Sequence, residues 1–184
     1  MTEQRFSILD ELAMKARGRL NLAVVNRAGK RVDYREQTFG APEFPHKNTV
    51  VKGAYQTFIQ LATGAVPTFN VKHFGLGDEP SPTFWDMQTS NCSIQWWSSV
   101  GAVVATPDLV GLTMEFACEV GYDEANGTGI HTYFEAVLAP EPWPSPTLFA
   151  RVAFRDPAGA VAHVIKHDEY KLIFNWTIGW GVTS

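Results

Sequence analysis

The chain has 184 residues, with 15 Lys and Arg against 19 Asp and Glu, for a net charge of −4. This balance disfavours nucleic acid as a main partner, because phosphate binding wants a basic surface. Apolar residues make up 45% and charged residues 18%, so the length suits one domain with a real core, and the low charge suits either apolar surface covered by partner subunits or simply a β-rich domain with a large core.

Ser7-Ile-Leu-Asp10 resembles a helix cap, and Phe6, Leu9, Leu12, Ala13 and Ala16 follow on one helical face, with Gly18 as the expected stop. Leu20, Leu22 and Val24 alternate with Asn21, Ala23 and Val25 as a short strand, and Asn26-Arg-Ala-Gly29 turns. From Arg27 to Asn48 the chain is polar and is expected to be an extended arm, or to form a hairpin around 31–38. The basic residues between Arg17 and Arg35 suit a solvated or partner-facing arm better than a nucleic-acid site. A second helix is expected over 50–63, from Val51, Ala54, Tyr55, Phe58 and Leu61, with Gly64 ending it. Phe69 to Phe74 reads as a strand running into a Gly75-Leu-Gly77 turn. A loop with Phe84-Trp85 follows. Cys92 to Ala105 reads as β structure, in which Trp96 and Trp97 take opposite faces, and Thr106-Pro-Asp108 as a turn.

Leu112 to Val120 alternates as a strand with one wet face, and 121–129 is a loop in which Asn126-Gly127 tolerates positive φ. Ile130 to Leu138, Leu148 to Phe154 and Val161 to Lys166 are further strands. They are separated by a loop of four prolines around Trp143 and by the Asp156-Pro-Ala-Gly159 turn. The final run has the clearest period of two: Tyr170, Leu172, Phe174, Trp176, Ile178 and Trp180 share one face. Many short strands after two short helices predict a mainly β fold, an antiparallel β-sandwich of jelly-roll-like or Ig-like type with one or two short N-terminal helices. The expected division is 1–46 as helix and arm and 47–184 as the sandwich.

Catalytic signals are thin. His163 and His167 have a metal-like spacing only on a helix; on a strand they sit ~13 Å apart. Asp123 to Gly129 lacks the ligand alternation of a calcium loop. No G-x-S-x-G elbow supports a nucleophile. The two cysteines, Cys92 and Cys118, make no disulfide scaffold and sit in apolar runs, as small hydrophobes do. No apolar run approaches the roughly 20 residues of a membrane span, and the first residues do not read as a secretory signal, so synthesis and folding in a cytoplasm are expected. No catalytic, cofactor or metal residues are assigned. The candidate interface residues are Phe6, Leu9 and Leu12 on the first helix, together with Trp85, Trp97 and Trp143, because exposed aromatics mark protein interfaces or sugar platforms.

Asn48-Thr-Val-Val-Lys-Gly53, Val71-Lys-His-Phe-Gly-Leu-Gly77, Asp123-Glu-Ala-Asn-Gly-Thr128, Leu148-Phe-Ala-Arg-Val-Ala-Phe154 and Leu172-Ile-Phe-Asn-Trp-Thr-Ile178 together resemble a family of tailed-bacteriophage tail proteins. Leu76 departs from the small polar residue usual between its two glycines. The resemblance spans about 48–180 and implies a virion component of the tail, tail-fibre junction or neck, made in the host cytoplasm, with no catalysis. Its expected partners are copies of itself and other virion proteins. The alternatives are a capsid decoration protein and a carbohydrate-binding module that meets host surface glycans through exposed Trp.

Overall fold

The computed structural model describes residues 16–39, 53, 54, 56, 60, 61, 63, 64, 70–81, 91–140 and 147–180. Eleven strands run in order: β1 Ala16–Asn26, β2 Arg31–Phe39, β3 His73–Gly77, β4 Ile94–Trp97, β5 Val104–Asp108, β6 Thr113–Val120, β7 His131–Tyr133, β8 Glu135–Ala139, β9 Ala150–Ala153, β10 Val164–Lys166 and β11 Tyr170–Trp180. They form a five-stranded sheet β2-β1-β11-β6-β5, a four-stranded sheet β4-β3-β8-β9 and a two-stranded β10-β7 ribbon. Every pairing is antiparallel. The fold is mainly β, an antiparallel sandwich.

β11 is the centre of the larger sheet because its period of two survives in three dimensions. Leu172, Phe174, Trp176 and Ile178 are buried, and the residues between them are half-buried. β1 pairs with β11 over its full length, from Ala16↔Trp180 to Asn26↔Tyr170, and contributes Leu20, Leu22 and Val24 to the same core. β6 flanks the other side and adds Phe116, Cys118 and Val120. Facing them are Phe74 and Leu76 of β3, Ala136 and Leu138 of β8, and Ala150 and Val152 of β9. Two aromatic pairs bridge the sheets: Phe74 meets Phe174 with ring centroids 4.5 Å apart, and Phe116 meets Phe149 at 5.4 Å. Such contacts add to the area term, which is about 25 cal/mol per Å² of apolar surface removed from water.

Three strands of the four-stranded sheet are buried on both faces, whereas β4 is partly exposed. Every residue of β3, β8 and β9 is inaccessible, and a second cluster of Val137 and Leu148, with Cys92, Ile94 and Trp97 against it, lies on the side away from the main core. This explains why β9 reads as a near-continuous apolar run, as doubly covered strands do.

Several expectations change. The polar stretch after Arg27 is not an appended arm: β2 forms the hairpin foreseen around 31–38, and β1 and β2 make two of the five strands of the larger sheet. The division at 46/47 therefore separates β1 from β11, its longest partner. Gly18 lies inside β1 and stops no helix. The first expected helix, from Ser7, lies outside the described residues, whereas 53, 54, 56, 60 and 61 are helical. Gly75-Leu-Gly77 belongs to β3 and is not a turn. A Cβ on Gly75 would meet Val137 and the Trp97 ring at 2.8–2.9 Å, so this glycine permits a close approach across the sheet. The run from Cys92 to Ala105 splits, with β4 in one sheet and β5 in the other. Thr106-Pro-Asp108 is strand, and the turn comes after it.

Candidate interaction surface

Two buried cations hold the loops around the sandwich. On β9, Arg151 is fully buried and pairs with the equally buried Glu135 of β8 at 2.5 Å. The remaining guanidinium donors reach the carbonyls of Ser81 at 2.8 Å and Glu79 at 2.9 Å. The other oxygen of Glu135 accepts from the amides of Ser93 at 2.9 Å and Glu79 at 3.4 Å. Burial pushes the Glu135 carboxyl up from its ordinary range, and Arg151 and those amides pull against it. Gly77 is required here, since a Cβ would fall on Glu135 Oε1 and on the Ser93 carbonyl. The pair fastens 78–81 and 93 to the sheet, and its donors and acceptors are occupied by the protein's own backbone.

At the opposite end of the hydrogen-bond inventory stands Lys166 at the close of β10. Its fully buried Nζ donates to Asn126 Oδ1 at 2.6 Å and to the carbonyls of Tyr122 and His167, both at 3.0 Å. All three ammonium donors are used. Burial pulls this amine down to about 8, against the attraction of Asp123, Asp168 and Glu124. The 121–130 loop thus closes around an ammonium. Of the 123–129 stretch, Asn126 Oδ1 faces Lys166, whereas Asp123 pairs with Arg27 and Glu124 accepts from the Gly121 amide. Ala125 takes a positive φ of 55° there, and its carbonyl accepts from Tyr133 Oη at 2.7 Å.

Neither network has the geometry of a catalytic centre. Burial pushes the Cys92 and Cys118 thiols up to about 12, which keeps them protonated near neutral pH. β10 lies between His163 and His167, and their rings face Phe134 and Tyr170 instead. Among the described residues no three His, Cys, Asp or Glu side chains converge as a metal site, and no helix is long and apolar enough to cross a membrane. The basic residues after Arg17 are largely paired: Arg19 with Glu36, Arg27 with Asp123 and Glu169, and Arg35 with Asp33.

What the sandwich leaves open is the β5–β6 hairpin. All five residues of β5 are exposed, on both faces, although β5 pairs regularly with β6. The turn beyond it is apolar: Leu109 is 84% exposed, Val110 97% and Leu112 58%. Val100 and Val104 are exposed as well, Val104 at the far end of β5 from the turn. The turn is held in shape. Asp108 Oδ1 accepts from the amides of Val110 at 3.0 Å and Gly111 at 2.9 Å. Leu112 sits at φ 50°, a left-handed conformation that costs a non-glycine residue about 1–2 kcal/mol. Leu109, Val110 and Leu112 thus present bulky aliphatic side chains to water from a hydrogen-bonded turn in which Leu112 is strained. Pro107 lacks an N–H for the open edge of β5, which disfavours simple strand addition there. The opposite edge, β2, exposes Val32 and Tyr34 among charged neighbours.

Of the interface candidates read from sequence, Trp97 is described. It is half-buried, its ring lies against Gly75, and it stands edge-on to His73 at 6.4 Å. Trp96 and Trp97 take opposite faces of β4 as expected, and Trp96 packs on the main core. Phe6, Leu9, Leu12, Trp85 and Trp143 lie outside the described residues. The hairpin tip was missed in the sequence because Leu112 alternates in phase with Met114 and Phe116. The signal for it was Pro107-Asp108 followed by Leu-Val-Gly-Leu, a turn without polar side chains after its first residue. No family model, curated protein or solved structure matches this chain.

Proposed function

We propose that this protein is a non-catalytic structural component that assembles with copies of itself. We place it in the virion of a tailed bacteriophage, in the tail, tail-fibre junction or neck. The setting rests on the sequence motifs quoted above, and capsid decoration is the same physical role at another position. The assembly reading is carried by one observation: the apolar, hydrogen-bonded turn between β5 and β6, whose Leu109, Val110 and Leu112 are exposed. Interfaces of stable oligomers bury such side chains at their centres. From Ser98 to Ala117 the only charged residues are Asp108 and Glu115. A surface without Lys or Arg suits a protein partner better than anionic lipid headgroups. Trp97 is a poor sugar platform, because its own sheet takes up its ring.

The test is sedimentation velocity of the full chain across a wide concentration range. An oligomer that persists at micromolar protein supports assembly. A monomer at every concentration contradicts it.

A further inference from the structure

The described part of the chain begins and ends at the sheet end that carries the apolar tip. Ala16 pairs with Trp180, and Gly179 pairs with Thr113. The start of β1, the end of β11 and the 109–112 turn therefore lie side by side in the order β1-β11-β6-β5. Two strand spacings separate β1 from β6, about 10 Å.

The segment that leaves at this corner, residues 1–15, has its own apolar stripe. Phe6, Leu9, Leu12 and Ala13 recur at helical spacing between Thr2, Glu3, Asp10 and Glu11. A stripe of this length is marginal as a helix in water and needs a surface to lie on. The tip is an apolar surface of matching character; of the two charges between 98 and 117, Asp108 is engaged by its own turn and Glu115 stands on β6 beyond it. Fifteen residues reach at most ~50 Å, ample to reach a neighbouring copy. Within one chain, the direct path from β1 to the tip crosses the end of β11.

We infer that residues 1–15 of one copy cover the Leu109-Val110-Leu112 tip of the next, so that the subunits assemble by exchange of this segment. The inference rests on the assembly proposed above and names its partner surface. The contact is heterologous, joining different patches on the two copies, so repeating it generates a ring or an open chain of subunits.

The test uses two single variants of the full chain, Leu9→Cys and Val110→Cys, mixed and treated with a short bismaleimide. The native thiols, Cys118 buried and Cys92 half-buried and both pushed up to about 12, react slowly by comparison, and the single variants alone report any background from them. Exchange predicts a covalent heterodimer in the mixture, at yields well above those of either variant alone. A chain lacking residues 1–15 should associate at least about tenfold more weakly with its melting unchanged. A double variant that cross-links only within itself, with no heterodimer in the mixture, overturns the exchange, as does no cross-link at all. Full association of the truncated chain overturns the exchange while leaving assembly standing. A monomeric wild type removes both.

Discussion

β1 and β11 pair over eleven residues, and β5 and β6 pair over five, in the same sheet and with the same antiparallel ladder. In the first pair Leu20, Leu22 and Val24 lie beside Leu172, Phe174 and Trp176 against the second sheet. In the second pair, β5 has no buried residue at all, and the apolar side chains cluster at the turn. Hydrogen bonding is alike in the two; what differs is what lies behind the side chains. Backbone ladders contribute little net stability because water competes for the same groups, so burial decides which ribbon is fold and which is free for another use. The β1–β11 ribbon belongs to the scaffold, as β6 does through Phe116, Cys118 and Val120, whereas β5 and the turn after it stay exposed.

The comparison is broken most severely by removing β1. Deletion of residues 1–46 takes two strands from the larger sheet and uncovers β11, so no cooperative unfolding transition should remain by circular dichroism. Deletion of residues 1–15 should leave that transition intact. A folded product from the longer deletion would mean that β1 is an accessory strand.

Next in size is the buried pair in the smaller sheet. Glu135→Gln or Arg151→Met leaves the other member's charge buried without its counter-ion, and either should cost about 3–5 kcal/mol in urea unfolding. The double variant Glu135→Leu/Arg151→Met should lose less than the sum of the two. Additive losses would show that the two side chains act separately.

The alkaline limb gives a smaller effect with a defined sign. Burial raises the Cys118 thiol from 9.0 to about 12. The folded state therefore keeps a proton that the unfolded chain releases, and stability present below pH 9.0 is lost as pH rises towards 12. Lys166 runs the other way. Its amine falls from 10.5 to about 8, so stability contributed by this group rises between those values. Melting against pH should fall less steeply above 9.0 in Cys118→Ala, and Lys166→Met should remove the opposing rise. An unchanged alkaline slope in Cys118→Ala would place the loss elsewhere.

Much of the scaffold was legible in the sequence, because a strand with one buried face writes a period of two. Leu20-Asn-Leu-Ala-Val24 and Leu172 to Ile178 gave β1 and β11 directly. The doubly buried sheet was harder. In it Gly75 and Gly77 serve close approach and Arg151 interrupts an apolar run for a partner 16 positions away in sequence, and no local pattern encodes that partner. The interface residues divided the same way. Trp97 was marked as an interface candidate for its aromatic character, yet its own sheet holds the ring. The tip was overlooked because aliphatic residues read as core until their surroundings are known. A charged residue inside an apolar strand and an apolar turn after Pro-Asp were the two signals available for what was missed.

The central claim is that the β5–β6 tip serves association and not folding. The direct measurement is Leu109→Asp/Val110→Asp, followed by melting and by sedimentation velocity on one preparation. The account predicts a stability change within about 0.5 kcal/mol, as for exposed positions, together with loss of the oligomer. A variant that unfolds, or one that melts and sediments like the wild type, would contradict it.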